Sequence, residues 1–388
     1  MNVFDKLDTL PRLTPEETEL LRSVRRLATE RIAPRAAALD VSGEFPWENV
    51  HDINALGLNA MFVPAQFGGA DCSFSAYLLC VREISRACAA TGITWATNFH
   101  ASIPLLDSGS NELKACVMKC LLDGGILALA LTEPTAGSDA TAMRTTFTPD
   151  GDHVVVNGSK LFITNGGVAD VYLVFGKWSE LPQDKSAVSL LAIEKGTPGL
   201  AVVRLEDKMG HRASSTAALS FENCRAPRAN LIGGAGSGTP LLHRFLNKSR
   251  PSVAAHALGI ARAAFDDAVA YVNDRTQFGR RIVDFQATQF LLADLATDLA
   301  LCERWLWHIA ERVEAGEKDL VVEASMLKMR ASDLAMRVAT EAVQLHGGYG
   351  YCRDYRVERL MRDAKITQIW EGTNQVHRQI IGRSFARR

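Results

Sequence analysis

The chain is 388 residues long, with 47% apolar residues, 22% charged residues and a formal net charge of −1. That length allows two or three domains, and that composition excludes wholesale disorder. Balanced charge leaves no basic field to hold nucleic acid, and no apolar run reaches the ~18 residues of a membrane span.

Met1 to Thr14 lacks a basic-then-apolar leader and carries Asp5 and Asp8. The expectation is a cytoplasmic protein bound to neither nucleic acid nor membrane. Thr14-Pro15-Glu16-Glu17 reads as a helix N-cap with proline at the first helical position. Leu20, Leu21, Val24 and Leu27 follow at helical spacing. Pro46, Pro64 and Gly68-Gly69 punctuate further helices up to about residue 125. The eight cysteines are too dilute for a disulfide framework and form no Cys-x-x-Cys pair. Cys116 and Cys120 are close in sequence but have no nearby histidine, so no metal site is expected.

Beyond residue 126 the texture changes to short runs of strand length. These are Val154 to Val156, Val171 to Phe175, Val188 to Ile193, Leu200 to Val203 and Ala218 to Phe221. Turn residues such as Asp150-Gly151, Asn165-Gly166-Gly167 and Thr197-Pro198-Gly199 separate them, which predicts an antiparallel barrel or sandwich. From about residue 240 long amphipathic stretches return: Val253 to Val272, Phe285 to Glu314 and Val321 to Leu345. Such helices joined by short loops form a bundle. The expected division is therefore an N-terminal helical domain (1–125), a middle β domain (126–239) and a C-terminal helical domain (240–388), an α+β multidomain chain.

Two glycine-rich stretches invite a phosphate-binding reading. Gly233-Gly234-Ala235-Gly236-Ser237-Gly238 lacks a following Gly-Lys-Ser/Thr and any strand–turn–helix frame, so it reads as a flexible link. His346-Gly347-Gly348-Tyr349-Gly350 ends a helix and is either a C-cap or a place where backbone approaches a ligand.

Two longer segments are more specific. The first is Leu131-Thr132-Glu133-Pro134-Thr135-Ala136-Gly137-Ser138-Asp139, followed by Asn157 to Gly166. The second is Gln344 to Gly350, followed by Arg362 to Gln375 with Trp370-Glu371-Gly372-Thr373 inside it. With Asn247-Lys248-Ser249-Arg250-Pro251 and Arg275-Thr276-Gln277-Phe278-Gly279 between them, the chain resembles the acyl-CoA dehydrogenase family of flavoenzymes from about residue 16 onward. The resemblance implies a helical domain, a middle antiparallel β-barrel and a C-terminal four-helix bundle. It also implies FAD held without a Rossmann loop, a homo-oligomer (usually a tetramer), and an electron-transfer flavoprotein as acceptor.

Removing two hydrogens across a Cα–Cβ bond needs a base for the α proton and an acceptor for the β hydride. No side chain accepts hydride, so a cofactor must. By resemblance Glu371 is the base, and desolvation would raise its basicity. Its backbone N–H resembles one of the donors to the thioester oxygen. Leu129, Leu131 and Thr132 resemble the segment lining the pyrimidine side of the flavin, Thr164 a hydroxyl near flavin N5, and Phe162 a stacking position that is usually Trp. Arg275, Gln277, Phe278, Gln286, Gln344 and Gly348 resemble pyrophosphate and adenine contacts supplied by a neighbouring subunit. Thr373 and Gln375 resemble nucleotide contacts beside the base. Ser138, Arg250 and Asn247, the last where Asp is common, match positions along the CoA arm.

The acyl pocket departs from common members. Trp370 precedes the base where Tyr is frequent, with Gly372 on its other side. The Gly92 to Pro104 segment is shorter than in straight-chain enzymes and brings Trp95 and Asn98 to the expected pocket floor. Thr94 stands about where glutaryl-CoA enzymes place an Arg, which disfavours that substrate. The resulting expectation is α,β-dehydrogenation of a branched, cyclic, aromatic or polar acyl-CoA. An acyl-CoA oxidase, an enoyl-CoA reductase and a non-catalytic flavoprotein subunit are the alternatives.

Overall fold

Thr14 starts a helix as its sequence context predicts. Its hydroxyl accepts the Glu17 N–H while the Glu17 carboxylate accepts the Thr14 N–H, so two donors that a helix start leaves open are both satisfied. The computed structural model describes residues 3–7, 9 and 11–386. Its N-terminal helices are α1 (Val3–Leu7), α2 (Pro15–Leu27), α3 (Ala33–Ser42), α4 (Trp47–Ala55), α5 (Phe74–Ala87), α6 (Ala89–Ser108) and α7 (Asn111–Leu122). α6 is unusual because every residue from Ala89 to Leu105 is buried. A helix surrounded on all sides shows no amphipathic stripe, so its sequence alone does not say which face meets the pocket.

The middle region holds β1 (Leu127–Ala130), β2 (Thr146–Asp150), β3 (His153–Thr164), β4 (Val171–Trp178), β5 (Val188–Glu194), β6 (Leu200–Leu205), β7 (Thr216–Pro227) and β8 (Leu231–Ile232). They form one sheet in the order β6-β7-β3-β2-β4-β5-β8, with β1 added beside β4. The expected strands all appear. The pairings are antiparallel except β1 with β4 and β2 with β4, which run parallel. β1 enters from α7 and not through a hairpin, so nothing forces it to run opposite to its neighbour. Its alternation divides two cores: Ala128 and Ala130 face the sheet interior with Phe147, Tyr172 and Phe221, whereas Leu127 and Leu129 face the helices.

The C-terminal helices are α8 (Gly238–Asp274), α9 (Gln286–Glu314), α10 (Val321–His346), α11 (Val357–Thr367) and α12 (Asn374–Ser384). A short hairpin, β9 (Thr276–Gln277) with β10 (Arg280–Arg281), stands between α8 and α9. α8 starts well before the Val253 suggested by periodicity and carries Pro251 inside it. Tertiary packing against α5, α6 and α10 holds the helix through the missing N–H. The glycine-rich link turns at Gly233, Gly234 and Gly236, all at positive φ, and delivers the chain to Gly238. A Cβ at Gly238 would sit 2.7 Å from the Val188 carbonyl carbon, so only glycine lets α8 begin against β5.

Candidate active site

A cavity of about 570 Å³ opens between the β1/β3 edge of the sheet and helices α6, α8 and α11. Leu129, Leu131, Thr132, Ser138, Phe162, Thr164, Arg250, Trp370, Glu371 and Gly372 all line it. Residues separated by more than 240 positions thus meet in one place.

The sheet-side wall is shaped by a bulge. β3 loses register with β7 between Lys160 and Ile163, and Phe162 there takes φ +59, turning its ring outward. Phe162 is 59% exposed. Beneath it, Lys160 Nζ donates to the Leu131 carbonyl (3.0 Å) and to Glu133 Oε1 (2.7 Å). Glu133 in turn accepts the Arg144 and Thr145 N–H groups. The pair is almost solvent-free, and burial pulls the Lys160 amine down to about 8 while Glu133 stays below the usual carboxylate range. Leu161 N–H donates to the Thr132 carbonyl and completes the tie between the two strands. The Thr132 and Thr164 hydroxyls make no hydrogen bond among the described residues. An open aromatic face beside leucines and two uncommitted hydroxyls fits a flat heteroaromatic ring with a polar edge, so these residues suit a flavin.

The helical wall carries Glu371 and Arg250. Glu371 lies between α11 and α12 at φ +53, followed by Gly372 at φ +96. A side chain on Gly372 would need that same left-handed backbone and would meet the His377 ring at 3.3 Å. Lys328 of α10 anchors this step, donating to the Gly372 carbonyl at 2.8 Å and to Asn374 Oδ1 at 3.1 Å. Ser249 of α8 donates to Glu371 Oε2 at 2.9 Å. Glu371 keeps part of its surface open to the cavity, yet its carboxyl sits deep in the wall. Desolvation raises its pKa, against the opposing pull of Ser249, Arg250 and Lys328. The same burial brings the Lys328 amine down to about 7. Arg250, 4% exposed, donates to Ser325 Oγ at 3.0 Å and has no partner for Nε. The Glu371 N–H donates to no acceptor among the described residues.

Trp370 packs against two imidazoles, with ring centroids 5.2 Å from His211 and 5.6 Å from His256. His211 Nε2 and His256 Nε2 are 2.8 Å apart, and His256 Nδ1 bonds Ser85 Oγ at 2.7 Å. Burial keeps both rings neutral. The Trp preceding the base is therefore held by a hydrogen-bonded histidine pair.

Two expected pocket residues are not in the cavity. Trp95 points from α6 into an aromatic cluster with Phe62 and Tyr77. Asn98 bridges Asn59 and the Leu127 N–H, tying α6 to β1. Neither is free to meet a substrate; their neighbours Ile93, Thr97 and His100 line the cavity instead. Asn247 also lies off the cavity and donates to the Lys318 carbonyl. Thr373 N-caps α12 through Val376 N–H, and Gln375 is exposed. Arg275 lines a separate groove of about 790 Å³ with Tyr271, His346 and Tyr349. Gln277 and Phe278 project on the β9–β10 hairpin, Phe278 being 92% exposed; Gln286 opens α9, Gln344 lies in the last turn of α10, and Gly348 lies in the 3-10 turn that follows it.

The structure also adds residues that sequence reading passed over. Ser249 stands inside the Asn247 to Pro251 motif. Lys328 interrupts the buried face of α10, and a cation on an apolar stripe is a legible signal. His211 and His256 carry none, because their partners lie far away in sequence, whereas His100 stands inside the Gly92 to Pro104 segment expected at the pocket floor. No group of His, Cys, Asp and Glu among the described residues could hold a metal, and no helix there is long and apolar enough to cross a membrane.

Three family profiles match the chain in order: the acyl-CoA dehydrogenase N-terminal domain at residues 14–125, the middle domain at 128–224 and the C-terminal domain at 236–386. The cyclohex-1-ene-1-carbonyl-CoA dehydrogenase of Geobacter metallireducens is 43% identical over 376 residues, covering 96% of this chain and 98% of its own. Butyryl-CoA dehydrogenase from Megasphaera elsdenii has a solved structure with TM-score 0.93 and 37% identity, covering 97% of this chain and 99% of its own. A chain in the structure described as the electron transferring flavoprotein of Acidaminococcus fermentans aligns with TM-score 0.93 and 40% identity, covering 97% and 99%.

Proposed function

The chain belongs to the acyl-CoA dehydrogenase family of FAD-using oxidoreductases, and on that premise we propose that it dehydrogenates a compact acyl-CoA across Cα–Cβ with Glu371 as the base. The carrying observation is the Glu371 carboxylate: buried at the end of a largely apolar cavity, made more basic by desolvation, and aimed by Ser249. FAD, when bound, supplies the two-electron acceptor that no side chain can be.

The chain's own residues do the rest. Phe162, Leu131, Thr132 and Thr164 hold the flavin ring, and the apolar lining excludes water from the reacting carbons. The unengaged Glu371 N–H donates to the thioester oxygen, where negative charge develops as the α proton leaves. Glu371 Oε takes that proton, and Arg250 and Lys328 steady the carboxylate before transfer. Ser138 and Arg250 stand toward the CoA arm. Trp370, clamped by His211 and His256, narrows the acyl end and favours a branched, cyclic, aromatic or polar group over an extended chain. The Geobacter relative supports a cyclic group in particular.

The exposed Arg275–Phe278 hairpin, Gln286, Gln344 and Gly348 serve the nucleotide of a neighbouring copy, so the active form is a homo-oligomer, a tetramer in this reading. Burying Phe278 in such an interface removes an aromatic ring from water. Electrons leave to an electron-transfer flavoprotein in the cytoplasm. The domain limits follow the expected division at about residues 125 and 239.

The test is anaerobic titration of the FAD-loaded protein with butyryl-, octanoyl-, isobutyryl- and cyclohexane-carbonyl-CoA. Flavin bleaching should be fastest with the branched or cyclic thioesters. Bleaching fastest with octanoyl-CoA would overturn the pocket reading, and none with any thioester would overturn the reaction. Stoichiometric peroxide release in air would instead favour an oxidase.

A further inference from the structure

Tyr77, His100 and Ser252 form a buried polar chain that the reaction above does not use. Tyr77 OH lies 2.9 Å from Ser252 Oγ, which lies 2.9 Å from His100 Nε2. Tyr77 and Ser252 are 1% and 0% exposed and have no other side-chain hydrogen-bond partner among the described residues. His100 is 5% exposed and lines the cavity. Burial alone pushes its pKa down to about 3, so the ring is neutral and carries one N–H.

The position of that proton follows from satisfying every group in the chain. The Tyr77 hydroxyl has only Ser252 to donate to, because a phenol proton left unpaired in a dry core is costly. Ser252 Oγ then accepts from Tyr77 and directs its own proton to His100 Nε2. His100 Nε2 must be the acceptor, which leaves the ring proton on Nδ1. In the reverse direction His100 would donate to Ser252, Ser252 to Tyr77, and the Tyr77 proton would have no partner.

The location follows from α8. Ser249 holds Glu371, and Ser252 lies three residues further along the same face, about one helical turn or ~4.5 Å away. His100, bonded to Ser252, therefore lines the same cavity as Glu371 about one turn further along α8. Burial alone accounts for the His100 shift, and a neutral N–H pairs with a neutral oxygen without the cost of stripping water from a charge.

We propose that His100 is a specificity-determining residue whose neutral Nδ1–H, fixed by Ser252 and Tyr77, selects an acyl group bearing an uncharged oxygen acceptor beyond Cβ, such as a ketone, hydroxyl or ether. This rests on the acyl-CoA dehydrogenase reading and narrows its substrate class to oxygenated acyl groups.

The experiment uses two redox-inert thioesters with sulfur in place of Cβ, (acetonylthio)acetyl-CoA and (isobutylthio)acetyl-CoA, which differ by an oxygen or a methyl on the δ carbon. Calorimetric Kd values are measured on the FAD-loaded wild type, His100→Phe and Ser252→Ala. In the wild type the ketone should bind about fivefold tighter or better, and in each variant that advantage should fall to about parity. An unchanged Kd ratio across the three proteins overturns this proposal alone. Failure of both thioesters to bind the wild type overturns it together with the acyl-CoA reading. Histidine ¹⁵N NMR of the FAD-loaded wild type checks the proton directly: His100 protonated on Nε2 overturns the assignment whatever the variants do.

Discussion

The two walls of the cavity solve different problems. The sheet wall presents leucines, a phenyl ring and hydroxyls; Lys160 and Glu133 lie buried behind it and tie β3 to the segment after β1, while Glu206, Asp207 and Lys208 line the cavity from the β6–β7 connection. The helical wall turns its charges toward the reaction: Glu371, Arg250 and Lys328 lie within reach of one another, partly desolvated. A surface for a flat cofactor needs shape and rigidity, which backbone pairing supplies. A surface for proton transfer needs a pKa out of its usual range, which burial beside like and unlike charges supplies.

The largest expected break is at the helical wall. Glu371→Gln keeps the hydrogen bond from Ser249 but removes the proton acceptor, so anaerobic flavin reduction by a good substrate should slow ~10²–10⁴-fold. Stopped-flow absorbance measures it, and reduction within tenfold of wild type would remove Glu371 from the mechanism. Lys160→Met should damage the sheet wall without touching the chemistry. It leaves Glu133 buried without its cation and should cost ~3–5 kcal/mol of stability in urea unfolding. Restoring most of that loss by adding Glu133→Gln would show that the unpaired charge, not packing, is responsible. A loss below 1 kcal/mol would mean the pair is not as buried as the structure shows.

The smallest effect sharpens the contrast through pH. Glu371 accepts a proton only when ionised, so flavin reduction should rise with pH through an apparent pKa above the ordinary glutamate value. Ser249 and Lys328 both favour the ionised form, so Ser249→Ala or Lys328→Met should move that limb to higher pH, by about one unit or less. A shift to lower pH would contradict the assigned electrostatics. Lys160→Met should leave the limb where it is.

Legibility differs between the same walls. The bulged strand, its turns and the Thr132 and Thr164 hydroxyls lie in contiguous segments, and a strand's alternation is a local property. Phe162 could be placed from its motif, although the positive φ that exposes it appears only with the register shift at Lys160 and Ile163. On the helical side, Glu371 and Arg250 were marked by their neighbours in sequence. The segment holding Trp95 and Asn98 runs past the pocket, so its sequence points both residues toward it. A helix buried on every face has no polar stripe to show which residues look inward, and here these two look away.

The sequence by itself determined the family, the order of helix, sheet and helix, and which segments bring the reacting groups, because caps, strand alternation and short motifs are written within a few consecutive residues. The tertiary structure decided how basic Glu371 is, what clamps Trp370 and where the His100 proton sits. Those properties depend on desolvation and on hydrogen bonds between residues 152 and 175 positions apart, and no local pattern encodes which distant partner will arrive.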